Sequence, residues 1–576
     1  MEQAKRSNDV ISLEGLAMAT DLEPGHPTTV NESSNSVAQQ PFKPSGRFIL
    51  AFISILVVTL AAAIDATSLG VALPIIADDI HGTALEAFWA GTSFLITSAV
   101  FQPVLAGLSH VFGRKSCILV STILFVIGSI LAAAAPNFRY MLAGRSIQGI
   151  GGGGILVLGE VIITDLVPLA TRGTYMGLLG CVWSLGAVTG PLMGGAFAEF
   201  ASWRWIFWIN LPLCAVGFVV IMLYLKLDRL PGPLWLKIRS FDWIGSVVLV
   251  GASLSFLIPL TWGGVMFEWS SWRTLFPLIL GLVTLVGFGY YEHRLGNADR
   301  MSKQSVAGHT IVVDPIMRSG LFGSITLNVL YMETILHGMI LWSLLYFLPI
   351  YYQACKSYTP IITGVALLPE VGLVAPVSVI AAFVITKMGR YRVVLWSGWL
   401  STTAGAGLLF LLQPDSPVYA WILLNVLVSL GTGILFPSMA LSIQAACRPA
   451  DSGHAAALFS FLRVVGQALG LAVSGVAFQN RLFQALSADP KYAATASQYS
   501  SDATALVGII QKMGDGDPEK AFLQQAVADS LRVIWLLMTV VAGVGLISSL
   551  FTREYSLNQE HDTRQGLSQA QTDVEQ

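Results

Sequence analysis

Charge is what this chain lacks. Only 11% of its 576 residues are Asp, Glu, Lys or Arg, against about 25% in soluble domains. With 54% hydrophobic residues and a mean hydropathy of +0.68, it cannot clothe a water-facing surface, and a soluble globular protein is excluded. A net charge of −2 and the lack of any basic tract leave no electrostatic footprint for nucleic acid. Cysteine is scarce. Cys117, Cys181, Cys214, Cys355 and Cys447 show neither metal-ligand spacing nor a disulfide framework, so no metal is expected. No cleavable apolar leader is read at the start. Residues 1–47 are polar, with Pro, Ser, Asn and Glu throughout, and are expected to be a disordered, uncleaved tail. No serine elbow or nucleotide loop is present. The glycine run 149–154 lacks the Lys-Ser/Thr that a phosphate loop requires, so neither an enzyme nor a cofactor is expected.

What the chain has instead is apolar runs long enough to cross a bilayer. They fall near 48–73, 87–109, 116–135, 140–164, 174–198, 206–226, 242–264, 272–291, 322–352, 361–385, 391–412, 419–445, 454–478 and 528–551. Fourteen spans put both termini on one side. The loops after even-numbered spans hold Arg114, Lys115, Arg172, Lys226, Arg229, Lys237, Arg239, Arg294, Arg300, Lys303, Arg318, Lys387, Arg390, Arg392 and Arg448. The short loops after odd-numbered spans hold only Arg139, Arg204, Arg273 and Lys356. Lys and Arg favour the cytoplasmic side, so both termini are expected there, with the polar segment 479–527 outside. A short amphipathic helix is read within that segment at 503–512.

The spacing reads as two halves. The expected units are an N-terminal six-helix bundle (48–227), a linker with two extra spans (228–320), a C-terminal six-helix bundle (321–551) and a tail (552–576). His110-Val-Phe-Gly-Arg-Lys after the second span is echoed by Lys387-Met-Gly-Arg-Tyr-Arg after the tenth. Internal repeats of this kind are typical of secondary transporters.

The stretch 140–165 (YMLAGRSIQGIGGGGILVLGEVIITD) carries Arg145 and Glu160 inside an apolar run. A charge within a span faces a bundle interior or a water-filled cavity, and glycines let another backbone approach. Arg145, Gln148, Gly149 and Gly152 share one helix face, which suggests a helix lining a path through the membrane.

Several motifs together resemble the major facilitator superfamily, in its fourteen-span drug:proton antiporter branch, and most of all its fungal toxin and multidrug efflux pumps. Asp65-Ala-Thr-Ser-Leu-Gly-Val-Ala-Leu-Pro74 resembles the first-span signature. Gly113-Arg114-Lys115 closes the loop motif between spans two and three. Arg145-Ser-Ile-Gln148-Gly149-Ile-Gly151 resembles the fourth-span motif. Gly186-Ala-Val-Thr-Gly190-Pro191-Leu-Met-Gly194-Gly195 resembles the fifth-span antiporter motif, and Trp203-Arg-Trp-Ile-Phe-Trp-Ile-Asn210-Leu-Pro212 the start of span six. The resemblance covers about residues 48–551. It implies an all-α membrane protein of the major facilitator fold, with two pseudo-symmetric six-helix bundles and an extra helix pair. It also implies proton-coupled export of a small hydrophobic toxin, drug or secondary metabolite by alternating access. The proton gradient stands in place of a cofactor. The expected setting is the plasma membrane, with the vacuolar membrane as alternative, and a monomer is the expected working unit. Proton-coupled uptake of a nutrient or chelate, or a non-transporting sensor, are the alternatives.

Beside the resemblance, the residues suggest roles. Asp65 and Arg145 lie at similar depth by residue count. They are either a proton-coupling pair that separates or a permanent structural ion pair. Glu160 is read as a second proton carrier, a contact for a cationic substrate, or a packing contact. Gly186, Gly190 and Gly194 recur every four residues, and Pro191 removes a backbone hydrogen bond; the bent, grooved helix is expected either to pack against a partner that rocks or simply to pack. Asp165, Arg114 and Arg172 form an expected cytoplasmic latch, with His110 where the family usually has Asp. The alternative is that Arg114 and Lys115 only set topology. Glu333 and His337 at i, i+4, with Glu370 and Arg463 at similar depth, suggest a relay or substrate site, against ordinary helix contacts. The clusters Trp203–Trp208 and Tyr346–Tyr352 read as belts at the membrane boundary, or as the outer lining of a drug-binding vestibule.

Overall fold

The computed structural model describes residues 44–566, apart from 83, 229, 231, 265, 299–303, 307–308, 312, 502, 515, 560–562 and 564. Of the expected N-terminal tail, residues 1–43 therefore lie outside the described residues, as do 567–576 and the loop cations Arg229, Arg300 and Lys303. Lipid offers the backbone no hydrogen-bond partner, so a spanning segment must satisfy its own amides. The chain does so with fourteen long apolar helices. Spans 1–6 are Gly46–Gly70, Trp89–Phe112, Arg114–Ala133, Phe138–Leu166, Leu169–Phe200 and Trp205–Tyr224. Spans 7 and 8 are Trp243–Trp262 and Trp272–Gly296. Spans 9–14 are Ile325–Cys355, Ile361–Met388, Arg392–Leu411, Val418–Ala446, Pro449–Ser487 and Pro518–Ser549. The only described strands form a small hairpin, Gln304–Val306 with His309–Ile311.

Short polar residues start these helices. Ser45, Asn137, Asp242, Ser324 and Thr359 each accept a hydrogen bond from a first-turn amide, satisfying donors that the helix itself leaves orphaned.

Spans 1–6 share two hydrophobic cores and spans 9–14 a third. We call these sets the first and second halves. Spans 7 and 8 pack on each other. Leu257 and Leu260 of span 7 join Ile96, Ala99 and Val100 of span 2, with Val464 and Ala468 of span 13 beside them. The extra pair thus leans on the seam where the halves meet.

Between the spans the chain is more ordered than a polar linker. Span 13 runs on to Ser487 and span 14 starts as early as Pro518. Ala503–Lys512 is a helix, and its Leu506, Val507 and Ile510 are buried in the second-half core. The C-terminal segment also docks. Tyr555 N donates to Tyr391 Oη at 2.9 Å, and Gln559 Nε2 to the Ala445 carbonyl at 2.7 Å. Gln565 Oε1 accepts from Arg114 N at 2.9 Å, so this segment crosses from the second half to the first on the face rich in Lys and Arg, the basic face.

Candidate functional site

Span 4 carries the first buried cluster. Arg145 Nη1 donates to Asp65 Oδ2 at 2.5 Å and to Gln148 Oε1 at 2.7 Å. Gln148 Nε2 donates to Asp65 Oδ1 at 2.7 Å, and Asn210 Nδ2 to the same oxygen at 2.9 Å. Ser129 Oγ accepts from Gln148 at 2.8 Å, Arg145 Nε bonds the Ala90 carbonyl at 3.1 Å, and the guanidinium lies 4.4 Å over the Phe94 ring. Asp65, Gln148 and Asn210 are fully buried. Every element here, spans 1, 2, 3, 4 and 6, belongs to the first half. Gln148, expected to line a substrate cavity, is a strut of this cage. Asn210 and Ser129 were not singled out from sequence as partners. Asn210 stands inside the quoted span-six motif, which was the available signal.

The glycines of span 4 serve two neighbours. An added Cβ at Gly149 or Gly153 would stand 2.0 Å from Thr97 Oγ1 or 2.2 Å from the Ser98 carbonyl, both on span 2. At Gly151 or Gly154 it would stand 2.3 Å from Phe125 N or 2.2 Å from Ser121 Oγ, both on span 3. The glycine face is therefore filled by helices of its own half. The span-5 motif has the same character. Added Cβ atoms at Gly186, Gly190 and Gly194 would meet Ala63, Thr67 and Ser68 of span 1 at 2.4, 2.0 and 2.1 Å. Pro191 lies within that helix, and Gly195 is next in the same run. The groove grips its own half, not a partner that rocks. The seam uses other glycines. Gly173, Gly177 and Gly180 approach Leu441, Val379 and Phe436 of the second half.

Glu160 does reach the seam. Ser460 Oγ on span 13 donates to Glu160 Oε2 at 2.8 Å, and Arg463 Nη2 lies 3.6 Å from Glu160 Oε1. The sequence reading placed these two charges in separate sets. Ser460, one helical turn before Arg463, was missed. Arg463 is further held by the rings of Phe436 and Phe459 at 4.9 and 5.6 Å, and its Nε has no hydrogen-bond partner.

The remaining second-half candidates do not converge. Trp399 Nε1 and Ser548 Oγ donate to Glu333 at 3.2 and 3.4 Å, holding it among spans 9, 11 and 14. His337 meets a different neighbour, span 12, with Nε2 3.2 Å from the Thr432 carbonyl. That carbonyl can only accept, so Nε2 carries the proton. Glu370 is buried elsewhere, with Oε2 unpartnered. Two residues a turn apart on a helix need not point into one site, and span 9 is contacted on several sides.

At the basic face Arg114 donates to Asp165 at 2.7 Å and to Ser109 at 2.5 Å, and lies 3.0 Å from His110 Nδ1. Gly113 makes the turn at φ +99°, where a side chain is strained. His110 stacks on His454 of the second half, ring centroids 3.7 Å apart. Lys115 bonds the Met222 carbonyl at 2.7 Å. Arg172 lines the same pocket as Asp165 and feels its charge, but no salt bridge joins them. It bonds the Thr164 and Val167 carbonyls at 2.7 and 3.0 Å and crosses to Gln444 Oε1 at 2.6 Å. Span 13 is buried from Gly453 to Phe461 and only half-buried from Leu462 to Val465. Span 5 is likewise buried at Arg172 and Gly173 and opens beyond Leu178. Cross-half contacts are thus dense at the basic face, and span 13 is less buried beyond Phe461.

The aromatic clusters split. Trp205 and Tyr346 are exposed, but Trp203 bonds Asp79 at 2.9 Å and Phe207 is buried near Arg145. Tyr351 and Tyr352 are buried in the second-half core, so neither cluster is simply a belt.

Two halves of six spans, joined along a polar seam whose contacts are dense at the basic face, define a helical membrane transporter. The chain belongs to the Major Facilitator Superfamily, whose family model matches residues 55–237 and 244–471. It is 45% identical to "MFS transporter L2" of a Phoma species, over 98% of this chain and 92% of that protein. It is 34% identical to "MFS-type efflux pump LUC4" of a Fusarium species, over 96% and 97%. In fold it is similar to the human organic anion transporter MFSD10 (TETRAN), with TM-score 0.53, 16% identity, and 86% of this chain and 98% of that one covered.

Proposed function

We propose that the chain exports a small, largely hydrophobic toxin or secondary metabolite in exchange for protons, working by alternating access between the two six-span halves. The observation that carries this reading is the buried Glu160–Arg463 ion pair, because it crosses the seam. Rocking of one half against the other must break it. A buried charge persists only while it is paired, so a carboxylate whose guanidinium withdraws becomes a proton acceptor. Re-pairing with Arg463 then releases the proton. The basic face is taken as cytoplasmic, since Lys and Arg accumulate there. Protons would enter Glu160 from the opposite face, toward which span 13 is less buried. His110–His454 and Arg172–Gln444, which cross the seam, act as the cytoplasmic closure, with Arg114–Asp165 ordering its first-half side. The Asp65–Arg145 cage is assigned to holding the first half rigid, since no rocking of the halves separates its members. Relatives named efflux pumps favour export, and the plasma membrane and a monomeric unit accord with it.

The test is comparative. Cells that overexpress the protein, and cells that lack it, are loaded with a panel of hydrophobic toxins with and without a protonophore. Lower accumulation on overexpression, abolished by the protonophore, is expected. Higher accumulation on overexpression overturns export.

A further inference from the structure

Outside the seam, a cavity of about 440 Å³ lies between the extra helix pair and span 13. Its walls are mainly apolar, formed by Leu257 and Phe256 of span 7, Phe288 of span 8 and Phe461 of span 13. Its polar wall residues are Ser253, Ser319, His293 and one carboxylic acid. Glu292 is 2% exposed, and both its oxygens lack a hydrogen-bond partner. The Ile316 and Met317 backbone and the Asp242 carboxyl approach it, though none closes a bond of ordinary geometry. A second acid stands beside it. Asp242 caps span 7 through the Gly245 amide at 2.8 Å and accepts from Tyr291 at 3.0 Å, yet its Oδ2 is also unpartnered. The two carboxyls converge on Gly245, where a Cβ would stand 2.0 Å from Asp242 Oδ2 and 3.1 Å from Glu292 Oε1. Among the described residues neither acid has a cationic partner.

We infer that this cavity is a lateral binding site for an amphiphilic amine, with its ammonium on Glu292, backed by Asp242, and its apolar body between spans 7, 8 and 13. Two buried carboxyls side by side without a cation disfavour each other's charge, and an ammonium that reaches them removes that cost. A bare metal ion would leave the apolar volume unfilled, whereas ligand pockets are mostly apolar with a few placed polar groups. Depth agrees. Asp242 precedes span 7 directly and Glu292 lies one turn before the end of span 8, so the acids sit at headgroup level on the basic face, and Phe322 stands exposed beside the cavity. The chemistry is shared by an aminophospholipid of that leaflet and by a free amphipathic amine.

Equilibrium binding of radiolabelled dodecylamine and of dodecanol to the full chain in phosphatidylcholine nanodiscs tests this. Dodecylamine is expected to bind more tightly, and Glu292→Gln to weaken it about tenfold or more, the loss of one charge-assisted bond, with dodecanol unchanged. Gly289→Phe, at a lining position where an added Cβ meets nothing within 4 Å, is expected to weaken both, and it reports on the cavity if Glu292→Gln does not fold. Unchanged dodecylamine binding in both variants overturns the site. So does loss of binding in Glu160→Gln with retention in Glu292→Gln, which would place the amine at the seam. Competition by added phosphatidylethanolamine marks the lipid as occupant, and its absence marks the free amine. Either outcome supports the site, and neither depends on transport.

Discussion

Two arginines within membrane spans live under opposite conditions in this molecule. Arg145 has a carboxylate at 2.5 Å, an amide oxygen and a backbone carbonyl as partners, all from the first half. Arg463 has a single carboxylate at 3.6 Å, an unpartnered Nε and two aromatic rings, and its carboxylate comes from the other half. A fully satisfied buried network rigidifies whatever carries it. A loosely satisfied pair that straddles a seam is bistable, because separation removes few bonds. Both belong to the membrane interior and both look alike as isolated charges in apolar runs. The difference in partners separates scaffold from switch.

Breaking the scaffold is expected to have the largest effect. Asp65→Ala leaves Arg145 buried and unpaired, which costs about 3–5 kcal/mol; a sharp fall in folded yield and in thermal stability in detergent checks this. Preserved stability with lost proton coupling would instead make Asp65 the switch. Glu160→Gln is next. It is expected to abolish protonophore-sensitive export while costing about 1–2 kcal/mol of stability, read by transport in inverted vesicles alongside a melting curve. Third, Gly194→Ala drives a Cβ toward the Ser68 backbone and is expected to cost about 1–3 kcal/mol. Gly177→Ala, whose nearest contact at the seam is 3.1 Å, is expected to slow transport more than it lowers the melting temperature. Equal effects of the two would erase the distinction between the half's own packing and the seam.

The smallest effect lies at the opposite face. Hydrogen bonds from Trp203 and Arg204 hold the Asp79 carboxyl below its ordinary value. A depressed folded-state value means that this stabilisation is present above the ordinary value of 3.8 and is lost as pH falls through the lower one. Water screens the pair, so Arg204→Gln is expected to cost less than about 1 kcal/mol at neutral pH, a difference that melting curves should see shrink on strong acidification.

Much of the architecture is legible in one dimension because a bilayer imposes a one-dimensional rule. An apolar run of about 20 residues must cross, and it must cross as a helix. The span count and the helix at 503–512 follow from that kind of local pattern. Loop order fails where hydrophobicity is intermediate, as between 479 and 527, where Leu506 and Ile510 found a core that no local rule announces. The candidate site was legible as a set of residue types and not as a set of partners. Asp65 and Arg145 come together at the depth that residue counting allows. Glu333 and His337 share a helix face by count and yet face different neighbours. Glu160 and Arg463 lie about 300 residues apart and meet only across the seam.

The sequence by itself determined that the chain spans a membrane fourteen times, where its cations accumulate and which polar residues must be buried, since these follow from the cost of placing charge and bare backbone in lipid. Tertiary structure decided which buried charges are partners. It turned the motif glycines of spans 4 and 5 onto spans 1, 2 and 3, left Gly173 and Gly177 of span 5 for the seam, and set Glu292 without a cation beside an apolar cavity. Helix packing fixes those choices because side chains three or four residues apart on one helix reach whatever neighbour lies nearest, and the neighbour is supplied by distant sequence.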